Sequence, residues 1–280
     1  MNDLQRTELC LLENFINVCE KLGLTYFLVC GSALGAAKYG GFIPWDDDID
    51  VALPRADYEI FCRRAKEFLP GYCFLQNYRT DPAFPMIFSK IRDTRTTYIE
   101  KSMAELDICH GVYIDVFPLD GYPEIEKEKA RTEREKRKFA MKTLCCFSVR
   151  YSKKAALLAR VQRLIGFRGK SAEFARRLEA EISKYPSDKS AVWCNHGNWQ
   201  GKLEYAPREQ YGKGAEAHFE GLTVRIPERY DEYLSQKYGN WRADIPIEAQ
   251  KGHHYYTVCD LSRPYTDYTK HSGAKEKYKK

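Results

Sequence analysis

The spacing of apolar side chains changes period several times along the chain, and each change marks an element. Leu4, Leu11, Leu12, Phe15, Ile16 and Cys19 recur at helical intervals, which predicts an amphipathic helix over 4–21 ending near Gly23. Thr25–Val29 is a short β-like run leading into a Gly31-Ser32 turn. Ala33–Lys38 supplies a helical turn before the Gly40-Gly41 loop. Asp48–Leu53 reads as a strand stopped by Pro54, and 55–68 as a helix bearing Tyr58, Phe61, Cys62, Ala65 and Phe68. Residues 72–117 alternate and turn as β structure does, around Phe88-Ser-Lys-Ile-Arg-Asp and Val112-Tyr-Ile-Asp-Val-Phe. Residues 124–184 hold no proline and read as helical; short strands follow at about 216–226, then a helix after Pro227. A Lys/Ser/Gly-rich tail from about residue 266 is expected to be poorly ordered, and no internal repeat is present.

This order predicts a mixed α/β (α+β) sheet with flanking helices. The expected organisation is a core at 1–123, a basic helical insertion at 124–186, a C-terminal part of the same domain at 187–265 and a tail at 266–280. No apolar run approaches the roughly 18 residues of a membrane span, and the N-terminus lacks the basic-then-apolar layout of a signal peptide. The ten cysteines show neither a CxxC pair nor zinc-like spacing with histidine, so the expectation is a reduced, cytoplasmic protein. Net charge is +6 but unevenly placed: Lys136–Lys170 carries eleven Lys or Arg and no Asp or Glu, leaving the rest acidic. A basic segment in an otherwise acidic chain suggests a docking surface for something anionic. Within it Leu157, Leu158, Val161, Leu164 and Ile165 form an apolar helical stripe with Arg160 and Arg163 off it. That pattern suits either packing on the core or peripheral contact with the inner face of a membrane.

The densest chemistry lies at Asp46, Asp47, Asp48 and Asp50, between Ile43-Pro-Trp45 and Val51-Ala-Leu53. Two carboxylates about 4 Å apart repel by roughly 4 kcal/mol at an effective dielectric of 20, so a fold that gathers them calls for a cation or protons. Asp48 and Asp50, two apart on a strand, would share one face. Oxygen ligands of high charge suit Mg²⁺ or Mn²⁺ in a phosphate-handling site. Asp115, in mid-strand among apolar residues, is the best third ligand, with Asp46 a weaker fourth. Asp47 points the other way if the strand begins that early, and Asp120, beside Gly121, reads as a turn residue. Gly31 and Ser32 would offer backbone N–H groups and a hydroxyl to a phosphate oxygen. Lys90 and Arg92, two apart on a β-like run, would present both cations to a diphosphate. Trp45 would stack on a base or pack, and His253 and His254 are further candidates for touching a donor or acceptor.

Gly31-Ser-Ala-Leu-Gly, Gly41-Phe-Ile-Pro-Trp-Asp-Asp-Asp-Ile-Asp-Val and Tyr113-Ile-Asp-Val-Phe-Pro-Leu-Asp together resemble the LicD family. Phe219-Glu-Gly-Leu-Thr-Val-Arg-Ile-Pro, Tyr230 to Tyr238-Gly and His253-His254 extend the resemblance, which spans roughly residues 10–255. The Ile-Pro-Trp-Asp-Asp-Asp-Ile-Asp block is its most specific part. The resemblance implies a nucleotidyltransferase-like fold of the polymerase β type. It also implies transfer of a phospho-alcohol, such as phosphocholine, from a CDP-linked donor to a hydroxyl of a cell-surface glycan precursor, lipid-linked or free. Lys38 stands where many members have Arg and Tyr39 where His is common; a phosphate gripped at position 38 would meet a point charge in place of a fork.

On this reading Asp48, Asp50 and Asp115 are the catalytic carboxylates, and Gly31, Ser32, Lys38, Lys90 and Arg92 bind the donor. Two other readings use the same residues. One is a nucleotidyltransferase moving a nucleoside monophosphate onto a small molecule. The other is a non-catalytic polyanion-binding module, which the lack of any nucleic-acid motif and the acidic cluster both disfavour.

Overall fold

A computed structural model describes residues 1–148, 152–198, 201–252 and 255–268. The fold is mixed α/β, as the apolar periods predict. Helix α1 (Asp3–Leu22) opens with a reciprocal cap between Asn2 and Gln5 and ends at Gly23, whose φ of +65° supplies the left-handed stop. Leu11, Leu12, Phe15, Ile16 and Cys19 line its buried face, and Phe15 meets the rings of Tyr26 and Phe61. Strand β1 (Phe27–Leu28) is shorter than the 25–29 run.

Helix α2 then runs Cys30–Tyr39, so Gly31-Ser32 forms the first turn of a helix and not a free turn before one. Gly40 closes it with φ +67°. Strand β2 spans Asp50–Pro54 and starts two residues later than expected. Asp48 therefore lies in the irregular segment before the strand, and its closeness to Asp50 owes nothing to strand alternation. Helix α3 (Arg55–Arg64) finishes in a tighter turn at Ala65–Glu67.

Strands β3 (Cys73–Gln76), β4 (Ser89–Asp93), β5 (Thr97–Glu100) and β6 (Val112–Gly121) follow. The principal sheet has the order β1-β2-β6-β4-β3, with β2 parallel to β6 and the other neighbours antiparallel. One face carries Ile114 and Val116 of β6 into the main core, where α1 and α3 pack. The opposite face carries Tyr113, Asp115 and Phe117.

Between β6 and β7 (Val192–Cys194) come α4 (Glu126–Thr143), α5 (Lys153–Leu164) and α6 (Ser171–Ile182), the helices expected at 124–184. Strand β7 returns antiparallel to the end of β6 and continues to β8 (Tyr205–Pro207). Asp120 sits in this part of β6, fully buried, and is no turn residue; Arg55 grips both its oxygens at 2.6 and 2.7 Å.

After α7 (Arg208–Tyr211), β9 (Ala215–Phe219) and β10 (Leu222–Ile226) form a hairpin whose Glu220-Gly221 tip takes φ +48° and +88°. The tip clamps the loop after α2. Glu220 N donates to Gly40 O and Glu220 Oε1 accepts from Phe42 N, while a Cβ on Gly41 would collide with that carboxylate. Helix α8 (Tyr230–Tyr238) and strand β11 (Tyr256–Asp260), paired with β5, complete the fold. The tail from 269 and His253-His254 lie outside the described residues.

Candidate functional site

Strand register builds the centre of the site. Asp50 pairs with Asp115 across the parallel β2/β6 ladder, and Asp115 pairs with Lys90 across the antiparallel β6/β4 ladder. Opposite partners in a sheet point the same way and stand about 4.8 Å apart, so Asp50, Asp115 and Lys90 form one row on the sheet face that also carries Tyr113 and Phe117. Lys90 Nζ lies 2.8 Å from Asp115 Oδ1 and 3.6 Å from Glu100 Oε1, over the Tyr113 ring at 3.3 Å.

This row forms part of the wall of a cavity of about 660 Å³, which also contacts Gly31, Trp45, Asp46, Asp48 and Glu100. Five carboxyl groups and one ammonium thus face one space, with Phe88 and Phe117 as an apolar wall. Asn198, Tyr238 and Ile245 close it from the C-terminal half. Gly197 touches Phe88 and Phe117 so closely that a Cβ there would come within 2.9 Å of both rings.

The acidic segment is held by its backbone. Gln5 of α1 donates to Asp46 O at 2.9 Å, and Asp46 N donates to Ile43 O at 2.9 Å. Gly31 is required here for space: a Cβ on it would meet Asp46 Oδ2 at 2.7 Å. Ser32 Oγ accepts from Asp50 N at 2.8 Å, so the buried hydroxyl fixes the start of β2 where a direct phosphate contact was expected. Cys30 adopts φ +52°, a conformation costing a non-glycine residue about 1–2 kcal/mol. Tyr233 Oη accepts from its N–H and Asn198 Nδ2 lies 3.6 Å from its sulfur. Complete burial raises that thiol's pKa, which leaves it a weak nucleophile.

Asp46, Asp47 and Asp48 can each bring a carboxylate oxygen within 4.8 Å of the others'. Burial, reinforced by the charges of Asp48 and Asp47, pushes the Asp46 carboxyl up to about 7. Crowded oxygen donors of this kind could hold Mg²⁺ or Mn²⁺, whose charge would oppose both the burial and the neighbouring charges that raise Asp46. Asp47, expected to face elsewhere, belongs to this group because the strand begins only at Asp50.

Two of the expected donor-binding cations are placed differently. Arg92 shares the face of Lys90 but is fully buried, donating to Gln76 Oε1, Gly111 O and Glu100 Oε2 at 2.7–2.9 Å. Its geometry holds Glu100 at the cavity and leaves its own guanidinium out of it. Lys38, at the end of α2, donates to Trp241 O and Ala243 O at 3.3 and 2.5 Å and does not line the cavity. Trp45 lines the cavity and meets Tyr39 edge-on. Glu100 and Asn198 reach the cavity from distant elements with no local motif to mark them, and Tyr238, part of the family-like Tyr238-Gly pair, lines it without having been expected as a site residue.

A sheet face bearing paired aspartates, a glycine-led helix beside it and an acidic segment against that helix define a class of domain. Residues 23–149 match the family model described as the LicD/FKTN/FKRP nucleotidyltransferase domain, so this stretch of the chain is similar to that family. Among individual relatives, it is 27% identical over 256 residues to the lipopolysaccharide cholinephosphotransferase LicD of Haemophilus influenzae, covering 87% of this chain and 92% of that one. A shorter segment of 38 residues is 47% identical to the ribitol 5-phosphate transferase FKRP of mouse and of human, covering 14% of this chain and 8% of those proteins.

Proposed function

We propose that this protein is a phosphotransferase that moves a phospho-alcohol from a CDP-linked donor onto a glycan hydroxyl. The observation that carries the reading is the Asp50–Asp115–Lys90 row facing one cavity with Asp46 and Asp48. The named activities of the Haemophilus and mammalian relatives support the same class of reaction. The acceptor oxygen forms a bond to the phosphorus bearing the alcohol, and the bond from that phosphorus to the bridging oxygen breaks, releasing CMP.

Such chemistry asks the protein mainly for position and charge neutralisation. Asp48, Asp50 and Asp115, with Asp46 beside them, would hold Mg²⁺ or Mn²⁺. When bound, the ion supplies charge compensation for the donor's pyrophosphate. Asp115 accepts the proton of the acceptor hydroxyl. Lys90, 2.8 Å from Asp115, faces the transferring phosphoryl group as a compact cation. Glu100 and the Tyr113 ring keep that ammonium in place. Gly31 leaves room for the Asp46 carboxylate, and the Phe88/Phe117 wall excludes water from the reacting groups.

Incubation with CDP-choline, CDP-ribitol and CDP-glycerol, each with divalent metal and a glycan acceptor, tests the reading. CMP release from at least one donor, with a phospho-alcohol added to the acceptor by mass spectrometry, is expected. Addition of a whole cytidylyl unit would identify nucleotidyl transfer in its place. No turnover with any CDP-linked donor would remove the reading.

A further inference from the structure

Helix α5 is inverted relative to ordinary amphipathic packing. Leu157, Val161, Leu164 and Ile165 are 65, 45, 81 and 58% exposed, and Leu158 lies beside them at the edge of the stripe. At 100° per residue these five side chains occupy one arc of about 120°, a continuous apolar face. The buried face is instead small and polar. Gln162 is buried and donates to Met141 O at 2.7 Å, Arg163 donates to Cys145 O at 3.1 Å, and Ala159 packs against the buried cluster that holds Cys145 and Cys146. The alternative expected from the sequence, that the stripe packs on the core, is therefore not what the fold does.

We propose that α5 docks the protein on an anionic lipid bilayer, lying in the interface with its apolar stripe among the acyl chains. Charge selects this occupant. Lys153, Lys154 and Arg160 are exposed on the same helix, Lys170 follows just after it, and 136–170 contains no acidic residue. An apolar arc with Lys153 and Arg160 along one side and Lys154 at its N-terminal end matches the boundary between acyl chains and anionic headgroups. Arg163 and Arg168 take no part, since both are engaged with Glu105. No helix among the described residues is long and apolar enough to cross a membrane, so the contact is peripheral. The cluster beneath α5, around Cys145 and Cys146, also includes Met86, which lines the cavity. The docking helix thus shares its packing with a wall of the site. This proposal stands on the surface itself and does not depend on the transfer reaction.

Co-sedimentation of the full chain with vesicles tests it, using phosphatidylcholine alone or mixed with phosphatidylglycerol, at low and moderate salt. Binding to the mixed vesicles should exceed binding to the neutral ones by about tenfold or more at low salt and weaken as salt rises. Leu157→Glu with Leu164→Glu, and separately Lys153→Glu with Lys154→Glu, should each reduce it about tenfold. Both pairs point outward, so their melting curves should match the parent and exclude misfolding as the cause. Equal binding to neutral vesicles, or full binding by the Leu157→Glu/Leu164→Glu protein, would overturn the proposal. So would a lipid-free dimer that this pair of substitutions dissociates, because the stripe's occupant would then be a second copy of the chain.

Discussion

Asp115 and Asp120 stand five positions apart on β6, so the pleat sends them to opposite faces. Both are buried, yet their surroundings differ in kind. Asp120 is enclosed by the two-pronged grip of Arg55, whose third nitrogen reaches Glu59 and Glu179 at 3.2 Å. Glu179, from α6, also accepts from Tyr78 and Arg79, so this network ties the helical segment to the sheet. Burial raises the Asp120 carboxyl and the Arg55 guanidinium opposes the rise; the pair's geometry holds it ionised. Asp115 instead stands between a carboxylate and an ammonium at the edge of a cavity lined with further carboxylates. One aspartate is gripped by a single guanidinium within the fold; the other shares one cavity with four more carboxyl groups and one ammonium.

The comparison is sharpest if the two positions fail differently. Asp115→Asn and Asp50→Asn should each lower kcat by about a thousandfold; the thermal midpoint should hold or rise for Asp50→Asn, where a crowded charge is removed, and fall modestly for Asp115→Asn, whose carboxylate pairs with buried Lys90. EDTA should reproduce the loss in the parent protein. Full activity in EDTA, or an active Asp50→Asn protein, would sink the site assignment. Asp120→Asn should do the reverse. Leaving the buried Arg55 guanidinium without the carboxylate it grips should cost about 3–5 kcal/mol in urea unfolding, with kcat per folded molecule nearly unchanged. A stably folded but inactive Asp120→Asn protein would erase the distinction.

His110 extends the comparison to a buried group that its neighbours do not neutralise. Burial, with Arg92 nearby, lowers its pKa to about 4 from 6.5. The unfolded chain therefore binds a proton in this window that the native state refuses. Stability is complete above pH 6.5 and falls as pH drops toward 4, by about 3 kcal/mol from this residue. Urea midpoints across that range should show the slope, and His110→Gln should flatten it. The smallest effect is expected at Lys38, which tethers carbonyls outside the cavity. Lys38→Ala should keep kcat within about twofold and cost about 1 kcal/mol or less, measured by turnover and unfolding together. A hundredfold loss would return that lysine to the donor.

These contrasts also mark what the sequence could convey. The helix at 4–21, the strand after the aspartates, the helices of 124–184 and the 216–226 hairpin were legible because each carries a local period or stop signal. Asp50 and Asp115 were legible because charge inside apolar runs is costly to bury without purpose. Lys90 and Arg92 were not separable, since both occupy the same face of one strand and only the position of Glu100 decides which reaches the cavity. Asp120 was misread because its neighbour Gly121 suggests a turn, whereas that glycine lies against Ser190, Tyr185 and Pro186. Asp48 was assigned its place for a reason the structure does not use, and Asp47 was set aside for the same reason. The inverted face of α5 was one of two open possibilities, because an apolar stripe alone does not say which side of a helix meets the core.

The pairing of β2 with β6 has a kinetic consequence. Positions 50 and 115, sixty-five residues apart, come together only when β2 and β6 have found their register, with β3 and β4 lying between them in the chain. Contacts of such sequence separation form slowly because a long loop must close before they reward it. During synthesis the aspartates near residue 50 leave the ribosome well before β6 does, so the growing chain carries its acidic segment for a time without the strand that completes the site. Catalytic competence should therefore be absent until β6 docks and arrive only once Asn198, Tyr238 and Ile245 close the cavity, and a chain truncated before residue 112 should show none.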